Sequence, residues 1–350
     1  MKNELSVKIF DDLFLKEYGE DFKTLCKFNS NTPYQYLGWL NCAIKEHKCN
    51  LFKKIGFKIQ FAVLYLNGEI LGVAPIVIKL SGKKKGILFL GFDTASDYLD
   101  FVFSENITEK DVVYFVREIL KATECDNFYF SGLRKESITY KALINEKSFC
   151  LSGEEACVSI NTDFENYETY ISSLKKSVRQ NLRTAKNRMI KDEKNGELFI
   201  YKNDLDLKLV NELQALYEKR RKEQNKSRKS LSYKIYKAKR DITLKKYNYH
   251  SDSMMNNPDS VVLVYKIDGE LAAFGHALRW KNGKLSFMQV SFSAKFGRYS
   301  PGLLMFTDYI NKSMADGSNN TLDLTVGTEK YKYDLGGQEH FVVSGKFSLN

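Results

Sequence analysis

The sequence predicts a mixed α/β (α+β) chain built from two tandem copies of one unit. Three observations carry that expectation. The chain has 350 residues, a length suited to about two domains. Asn67-Gly68, Asp268-Gly269 and Asn282-Gly283 each lie between apolar runs, and such pairs are strong hairpin signals because both residues tolerate positive φ. The order helix, antiparallel meander, capped helix, strand occurs once in each half. Within it, Leu66-Asn-Gly-Glu-Ile-Leu-Gly corresponds to Ile267-Asp-Gly-Glu-Leu-Ala-Ala. Only Gly68/Gly269 and Glu69/Glu270 are identical over that heptad, so two unrelated hairpins with common turns stay open as the plainer account. The expected domains are 1–162 and 163–350, the second with a basic helical segment over 204–250.

The elements follow in order. Thr32 can cap a helix, with Pro33 in its first turn and Gln35 completing a capping box. Tyr36, Leu37, Leu40, Ala43 and Ile44 continue it at helical spacing. Strands are expected at 61–66, 69–78 and 86–91, then a helix over 108–122 capped by Thr108 with Asp111, then a strand at 127–133. In the second half a helix starts near Asp163 and runs, with room for a break, to 191. A strand at 197–201 follows, then a helix from Asp204 and a basic helical stretch over 219–246. Strands at 261–267, 270–280 and 284–292, a helix over 300–315 and a strand at 321–326 complete the pattern.

Composition excludes several classes. The hydrophobic fraction is 43% and the charged fraction 28%, with only four prolines, which fits a globular chain rather than a disordered one. The longest apolar stretch, 59–80, is broken by Asn67-Gly68-Glu69 and is too interrupted to span a membrane. The first residues lack the apolar core of a secretory signal, so a cytoplasmic location is expected. The six cysteines (26, 42, 49, 125, 150 and 157) include no Cys-x-x-Cys, and they read as reduced thiols rather than as a disulfide framework or a zinc site. His47, His250 and His340 have no metal-like spacing.

The net charge of +11 is concentrated. Residues 166–250 hold 23 Lys/Arg and 10 Asp/Glu, a net of +13, and the other 265 residues carry a net of −2. Such a local excess attracts phosphates or nucleic acid; a solvated lysine-rich surface is the plainer account.

Four groups of residues can carry chemistry. In VSFSAKFGRYSPG (290–302) a strand ends, and Ser300 can cap a helix whose first turn holds Pro301. Backbone N–H groups at such an end bind anions, Gly302 admits a phosphate close to the backbone and Arg298 adds a cation; a well-capped connection is the alternative. In 321–337, Asp323 alternates with Leu322 and Leu324 and faces the other side of its strand, followed by Glu329, Tyr331 and Lys332. That cluster can hold an acceptor and shuttle a proton, or be a polar strand edge with a solvated loop. His276 points with Phe274 and Leu278, as a core histidine or as a base with a shifted pKa. Lys175, Arg179, Arg183 and Lys186 flank the apolar stripe of one helix, where they can reach inward to phosphate or carboxylate, or stay solvated.

In order along the chain, TPYQYLGWL (32–40), GVAPIVI (72–78), SDYLDFV (96–102), SLKKSVRQNLRTAKNRM (173–189), RYSPGLLM (298–305) and LDLTVGTEKYKYDLGG (322–337) resemble the FemAB/CelD-like branch of the GNAT acyltransferase superfamily, over nearly the whole chain. The resemblance implies two tandem GNAT-like domains, each a mixed, largely antiparallel sheet flanked by helices, and transfer of an acyl group from acyl-CoA to an amine. It places pyrophosphate at Arg298–Leu303, so Arg298, Ser300, Gly302 and Leu303 contact the co-substrate. Acyl transfer falls between Gln289-Val290 and Asp323. The loop matches the family's Arg/Gln-x-x-Gly-x-Gly/Ala pattern only at Arg298 and Gly302, and Pro301 removes a donor.

The implied roles are Asp323 as base or amine orienter, His276 as alternative base and Lys332 as acceptor or transition-state cation. Asp97, Asp100, Arg179, Arg183, Glu329 and Tyr331 fall to substrate binding, with Asp97 and Asp100 lining a cleft. The implied acceptor is an amine-bearing small molecule or an amino sugar of surface-polysaccharide or nucleotide-sugar assembly, which would serve cell-envelope biogenesis. Relatives that take an amino acid from aminoacyl-tRNA give the alternative, in which Lys332 corresponds to their YK-type lysine and the basic segment meets tRNA. A non-catalytic nucleic-acid-binding protein is a third account.

The +13 segment has its cations interleaved with an apolar stripe and contains no groove-reading motif. It is therefore expected to show no preference for one DNA sequence in competition binding at physiological salt; tight selective binding would contradict this.

Overall fold

Asn67 and Asp268 adopt left-handed φ values of 52° and 51°, followed by Gly68 at 90° and Gly269 at 77°. Two hairpins form where the sequence places them. The computed structural model describes residues 4–349 except 29–30, 81–84, 93, 95, 225–237, 239–241, 243–245 and 319–320. These residues divide into two units, Met1–Glu155 with Phe341–Asn350, and Ala156–His340. Most of the expected 219–246 stretch lies outside the described residues; the helix preceding it is Leu207–Gln224.

In the first unit β1 (Leu5–Phe10), β2 (Phe57–Leu66), β3 (Glu69–Lys79), β4 (Gly86–Phe89), β6 (Asn127–Arg134) and β13 (Gln338–Ser348) lie side by side in that order, with β5 (Val102–Phe103) paired to β3. Only β4 and β6 pair in parallel. Alternation along β2 sends Ala62 and Leu64 to one face and Phe61 and Val63 to the other. Helix Glu109–Ala122 covers the first face with Val112, Phe115, Val116 and Ile119, each burial worth roughly 1.5–3 kcal/mol. Its Thr108–Asp111 capping box forms as expected. Helix Leu37–Cys49 covers the second face with Leu40, Ala43 and Ile44.

The expected helix from Thr32 is split. The Thr32 amide donates to Gln35 Oε1 at 2.7 Å, the half of the capping box that forms, around a 3₁₀ turn, Pro33–Gln35, and Tyr36 is extended before the α-helix begins at Leu37. β13 belongs to this unit because Val342–Ser348 pair with β6, although the sequence places one division at residue 162. A strand is located by its partner, and the sequence does not name that partner.

In the second unit the order is the end of β7 (Phe149–Ile160, of which 156–160 belong here), β12 (Leu322–Val326), β11 (Leu285–Phe292), β10 (Glu270–Arg279), β9 (Ser260–Ile267) and β8 (Gly196–Tyr201). β11 and β12 are parallel and the other pairs antiparallel. The expected break after 163 occurs at Leu174-Lys175, between helices Tyr167–Ser173 and Lys176–Lys191. Val178, Leu182, Ala185 and Met189 of the latter pack in one core with Leu304, Met305 and Tyr309 of helix Pro301–Ala315. A separate cluster brings Val210 and Leu213 together with Met254, Val262 and Phe274. Both units are mixed, largely antiparallel sheets flanked by helices.

All six cysteines are free, four of them buried. Among the described residues no helix is long and apolar enough to cross a membrane.

Gly132 has φ +67°, and a Cβ there would lie 2.4 Å from the Asp97 carbonyl oxygen. Gly132→Ala is expected to cost about 2–4 kcal/mol in urea unfolding, from the left-handed backbone and the clash together.

Candidate active site

β11 and β12 share only two register positions, Leu285 with Leu322 and Ser286 with Asp323. Beyond them the strands separate. Thr325 takes a left-handed φ of 55°, and its Oγ1 donates to the Phe287 carbonyl at 3.1 Å. Past this point β11 continues to Phe292, and a 3₁₀ turn, Ala294–Tyr299, leads into helix Pro301–Ala315. A cavity of about 540 Å³ opens there. The sequence-predicted Val290, Ser300, Gly302, Leu303, Glu329 and Tyr331 all line it. Val178, Phe292, Phe306 and Leu335 make much of its wall apolar. Ser291 and Arg220, which the sequence reading did not single out, line it too.

The helix start differs from expectation. Ser300 makes no side-chain cap; it sits at φ 50°, ψ 52°, and its carbonyl accepts from the Leu303 and Leu304 amides at 3.0 and 3.1 Å. The chain turns sharply out of the 3₁₀ segment, so Ser300 carries the reversal and not the cap. The Arg298 side chain is 59% exposed and lies 3.3 Å from the Asp192 carboxylate, with its guanidinium over Tyr299. It is absent from the cavity lining. Arg220 stacks its guanidinium 4.5 Å from the centre of the Phe292 ring.

Asp323 is fully buried. Its Oδ1 accepts from the Thr325 amide at 2.9 Å, and its Oδ2 takes Ser286 Oγ at 3.2 Å and the Lys284 ammonium at 3.0 Å. His340 Nε2 stands 3.9 Å from Oδ1, with its side chain 22% exposed. The alternation seen in the sequence thus leads to a compensated buried carboxylate. Its partners Lys284, Ser286 and His340 come from other strands and loops, which no local pattern reveals.

His276 is also fully buried; its Nε2 lies 2.9 Å from Ser260 Oγ, and its Nδ1 has no hydrogen-bond partner among the described residues. Burial lowers its pKa to about 3, so the imidazole is neutral at physiological pH. Gln289, opposite His276 in the ladder, accepts from Gln214 at 3.0 Å.

Lys332 is buried and donates to the Thr325, Val326 and Gly327 carbonyls at 3.2, 2.9 and 3.1 Å, with Glu329 at 3.0 Å. Its protons are committed to bracing the loop after β12. Arg179 donates to the Ser172 and Leu174 carbonyls, closing the end of helix Tyr167–Ser173. Arg183 is exposed.

In the first unit Tyr34 donates to Asp97 at 3.5 Å. Asp100 is buried, accepting from the Phe101 amide at 2.8 Å and from Thr139 Oγ1. Burial raises its pKa to about 6 against the opposing pull of Thr139 and Arg134. Among the described residues no cluster of three or more His, Cys, Asp or Glu suits a metal ion.

Residues 176–333 match the acetyltransferase (GNAT) domain family. A search of curated proteins finds no significant match. Among solved structures, a conserved protein of unknown function from Bacteroides thetaiotaomicron aligns with TM-score 0.56 at 12% identity, covering 94% of this chain and 97% of that one. FemX aligns with TM-score 0.52 at 14% identity, over 95% and 96%. The C-terminal domain of a putative lysylphosphatidylglycerol synthetase from Agrobacterium fabrum aligns with TM-score 0.50 at 13% identity, over 88% and 90%. At these identities the likeness is one of fold.

Asp100 gives a pH-dependent prediction. Its folded pKa is raised, so the stability it contributes is fully present below about pH 4 and is lost as pH rises through about 6. The loss is about 3 kcal/mol. Asp100→Asn keeps an acceptor for Phe101 and Thr139 and should remove that loss. Urea unfolding of both proteins at pH 4 and pH 7 should show the variant gaining on the parent at pH 7; an equal gap at both pH values would refute the assignment.

Proposed function

We propose, from the match of residues 176–333 to the acetyltransferase (GNAT) domain family, that the protein is an N-acyltransferase moving an acyl group from acyl-CoA to an amine. The carrying observation is the cavity at the separated strands β11 and β12, bounded by the start of helix Pro301–Ala315. A strand edge released from its neighbour can bind an extended, amide-bearing arm as an added strand would. At the helix start Pro301 lacks an N–H and the Leu303 and Leu304 amides donate to the Ser300 carbonyl, so the Gly302 amide and the helix dipole are what this end offers a diphosphate. The apolar wall of Val290, Phe292, Leu303 and Phe306 suits the uncharged arm between those ends.

In this reading the amine nitrogen attacks the thioester carbonyl carbon. The C–S bond breaks, the CoA thiolate leaves and the amine loses a proton. Positioning supplies much of the rate, and backbone N–H groups of β11 hold the oxyanion. Asp323 is fully buried and outside the cavity lining, so in this reading it receives the amine's proton through water rather than by contact. Lys284 already places an ammonium 3.0 Å from this carboxylate, and His340 lies between it and solvent as a proton exit. His276, kept neutral by burial, is the alternative base. Lys332 acts by holding the 325–327 loop in place.

For the acceptor we take the class that the family resemblance implies, an amino sugar of surface-polysaccharide or nucleotide-sugar assembly. The free cysteines fit a cytoplasmic site of action. A second reading, aminoacyl transfer from aminoacyl-tRNA, is favoured by the +13 charge of residues 166–250. Ribonuclease sensitivity of turnover separates the two.

The test is calorimetry with acyl-CoAs, followed by thiol-release assays with amino sugars. Asp323→Asn should lower turnover by roughly 10²–10⁴-fold while acyl-CoA affinity stays near that of the parent. Melting of the variant, measured alongside, accounts for the Lys284 pairing it weakens. Turnover within a few-fold of the parent would remove Asp323 from the chemistry.

A further inference from the structure

Eleven large apolar side chains are exposed among the described residues, and four of them gather at one place in the first unit. Helix Leu51–Gly56 carries three. Leu51 lies four residues before Ile55 and Phe52 three before it, so the three share one helix face. The Leu80 amide donates to the Gly56 carbonyl at 2.9 Å, which brings Leu80 beside them. Each of the four side chains is more than half exposed. The helix is held firmly from behind. Lys53, on its other side, is buried and pairs with Glu46. Asn50 caps the helix by accepting the Phe52 and Lys53 amides at 3.1 and 3.4 Å. The apolar face is thus carried outward on a fixed base.

Single exposed apolar side chains are normal, whereas a cluster marks an interaction surface. The charge around this one identifies the partner. Residues 45–58 hold five lysines and one acid, Glu46, which the Lys53 ammonium already offsets. Lys54 flanks the apolar helix face, Lys58 follows on β2 and Lys79 precedes Leu80; all three are exposed. Protein interfaces are depleted in lysine and enriched in Tyr, Trp and Arg. Leucine, isoleucine and phenylalanine ringed by lysine suit instead the headgroup layer of an anionic bilayer. The apolar tips enter the acyl boundary while the lysine stems keep their ammonium groups at the level of the phosphates. A six-residue helix is about 9 Å long, so such a contact lies in the interface and does not cross it.

We propose that helix Leu51–Gly56, together with Leu80, is a docking surface for an anionic lipid bilayer. The contact is independent of the acyl-transfer reading and holds or fails apart from it.

The experiment floats the full chain with vesicles of phosphatidylcholine, with and without phosphatidylglycerol. The protein should float with the mixed vesicles and stay behind with phosphatidylcholine alone. Phe52→Ser combined with Ile55→Ser should weaken binding to the mixed vesicles by roughly 10–100-fold. Lys54→Gln combined with Lys79→Gln should weaken it by roughly 10–30-fold. Ile190→Ser, which removes an exposed apolar side chain from the second unit, should leave it within twofold. Both native tryptophans, Trp39 and Trp280, are buried, so the new indole of Phe52→Trp reports the patch, and its emission should shift to the blue on mixed vesicles. All these positions except those of the native tryptophans are exposed, and melting of each variant confirms that it folds. No flotation with the mixed vesicles would overturn the proposal, as would equal loss in Ile190→Ser. Flotation that survives Phe52→Ser with Ile55→Ser, with no blue shift in Phe52→Trp, would assign adsorption to the basic segment 166–250 and overturn it too. Self-association that the same double substitution abolishes, without vesicle binding, would give the patch to a second copy of the chain and reject the bilayer.

Discussion

The second unit is organised around a parallel pairing that stops after two residues. β11 and β12 meet at Leu285–Leu322 and Ser286–Asp323, and then part. Two strands parted inside a sheet leave backbone groups that must find other partners. The protein meets that demand on the β12 side. Thr325 Oγ1 donates to the Phe287 carbonyl, the Gly327 amide donates to the Ala156 carbonyl, and the Lys332 ammonium gathers three successive carbonyls. With the β12 side satisfied internally, the β11 side is left to form the wall of a pocket. A buried lysine that the sequence offers for chemistry is therefore what braces the opening, and the Glu329 carboxylate offsets its charge.

The same two-residue pairing fixes the buried carboxylate. Asp323 faces Ser286 across the ladder, and Ser286 in turn receives Trp280 Nε1 at 2.7 Å. Lys284 lies 4.6 Å from the Trp280 ring centre while binding Asp323. Removing one member of such a set leaves an uncompensated charge or donor, which is why buried networks specify geometry more firmly than they add stability. Asp323 thereby ties the last paired position to the point where the gap begins. The carboxylate is thus held by the same strands whose parting opens the cavity.

Much of this was legible in the sequence where the signal is local. The hairpins at Asn67-Gly68 and Asp268-Gly269, the Thr108 capping box and the strand containing Asp323 rest on neighbouring residues and stand where expected. That Val290, Ser300, Gly302, Leu303, Glu329 and Tyr331 all line one cavity is seen only in the structure, since the two stretches lie about thirty residues apart. What the sequence does not show comes from partners distant in the chain. Arg298 looks like the phosphate cation because it precedes the helix, yet Asp192 draws it aside. Arg220 looks like one charge among many in a basic run, and only its stacking on Phe292 sets it apart. Ser300 has the side chain of a cap, but the preceding 3₁₀ turn demands a left-handed residue there. β13 falls in the first unit because its ladder partner is β6.

Backbone strain follows the same map. Seven described residues other than glycine have positive φ; Asn67 and Asp268 belong to hairpin turns, where their residue types tolerate it. Ser300 and Thr325 are different. Neither forms a hairpin turn, and a β-branched threonine in the left-handed region is especially unfavourable. One stands at the helix start that bounds the cavity, the other where β12 leaves β11. Each costs of order 1–3 kcal/mol and persists only where its surroundings over-determine it. Around Thr325 the constraint comes from Asp323 accepting its amide, Phe287 accepting its hydroxyl and Lys332 holding its carbonyl. All three atoms of Thr325 that can hydrogen-bond are thus committed to keeping the strand turned away. A glycine would relieve the backbone and lose the hydroxyl contact that fastens the loop to β11. That threonine occupies this position, despite its backbone cost, is accounted for by the need to hold the strands apart at one defined point.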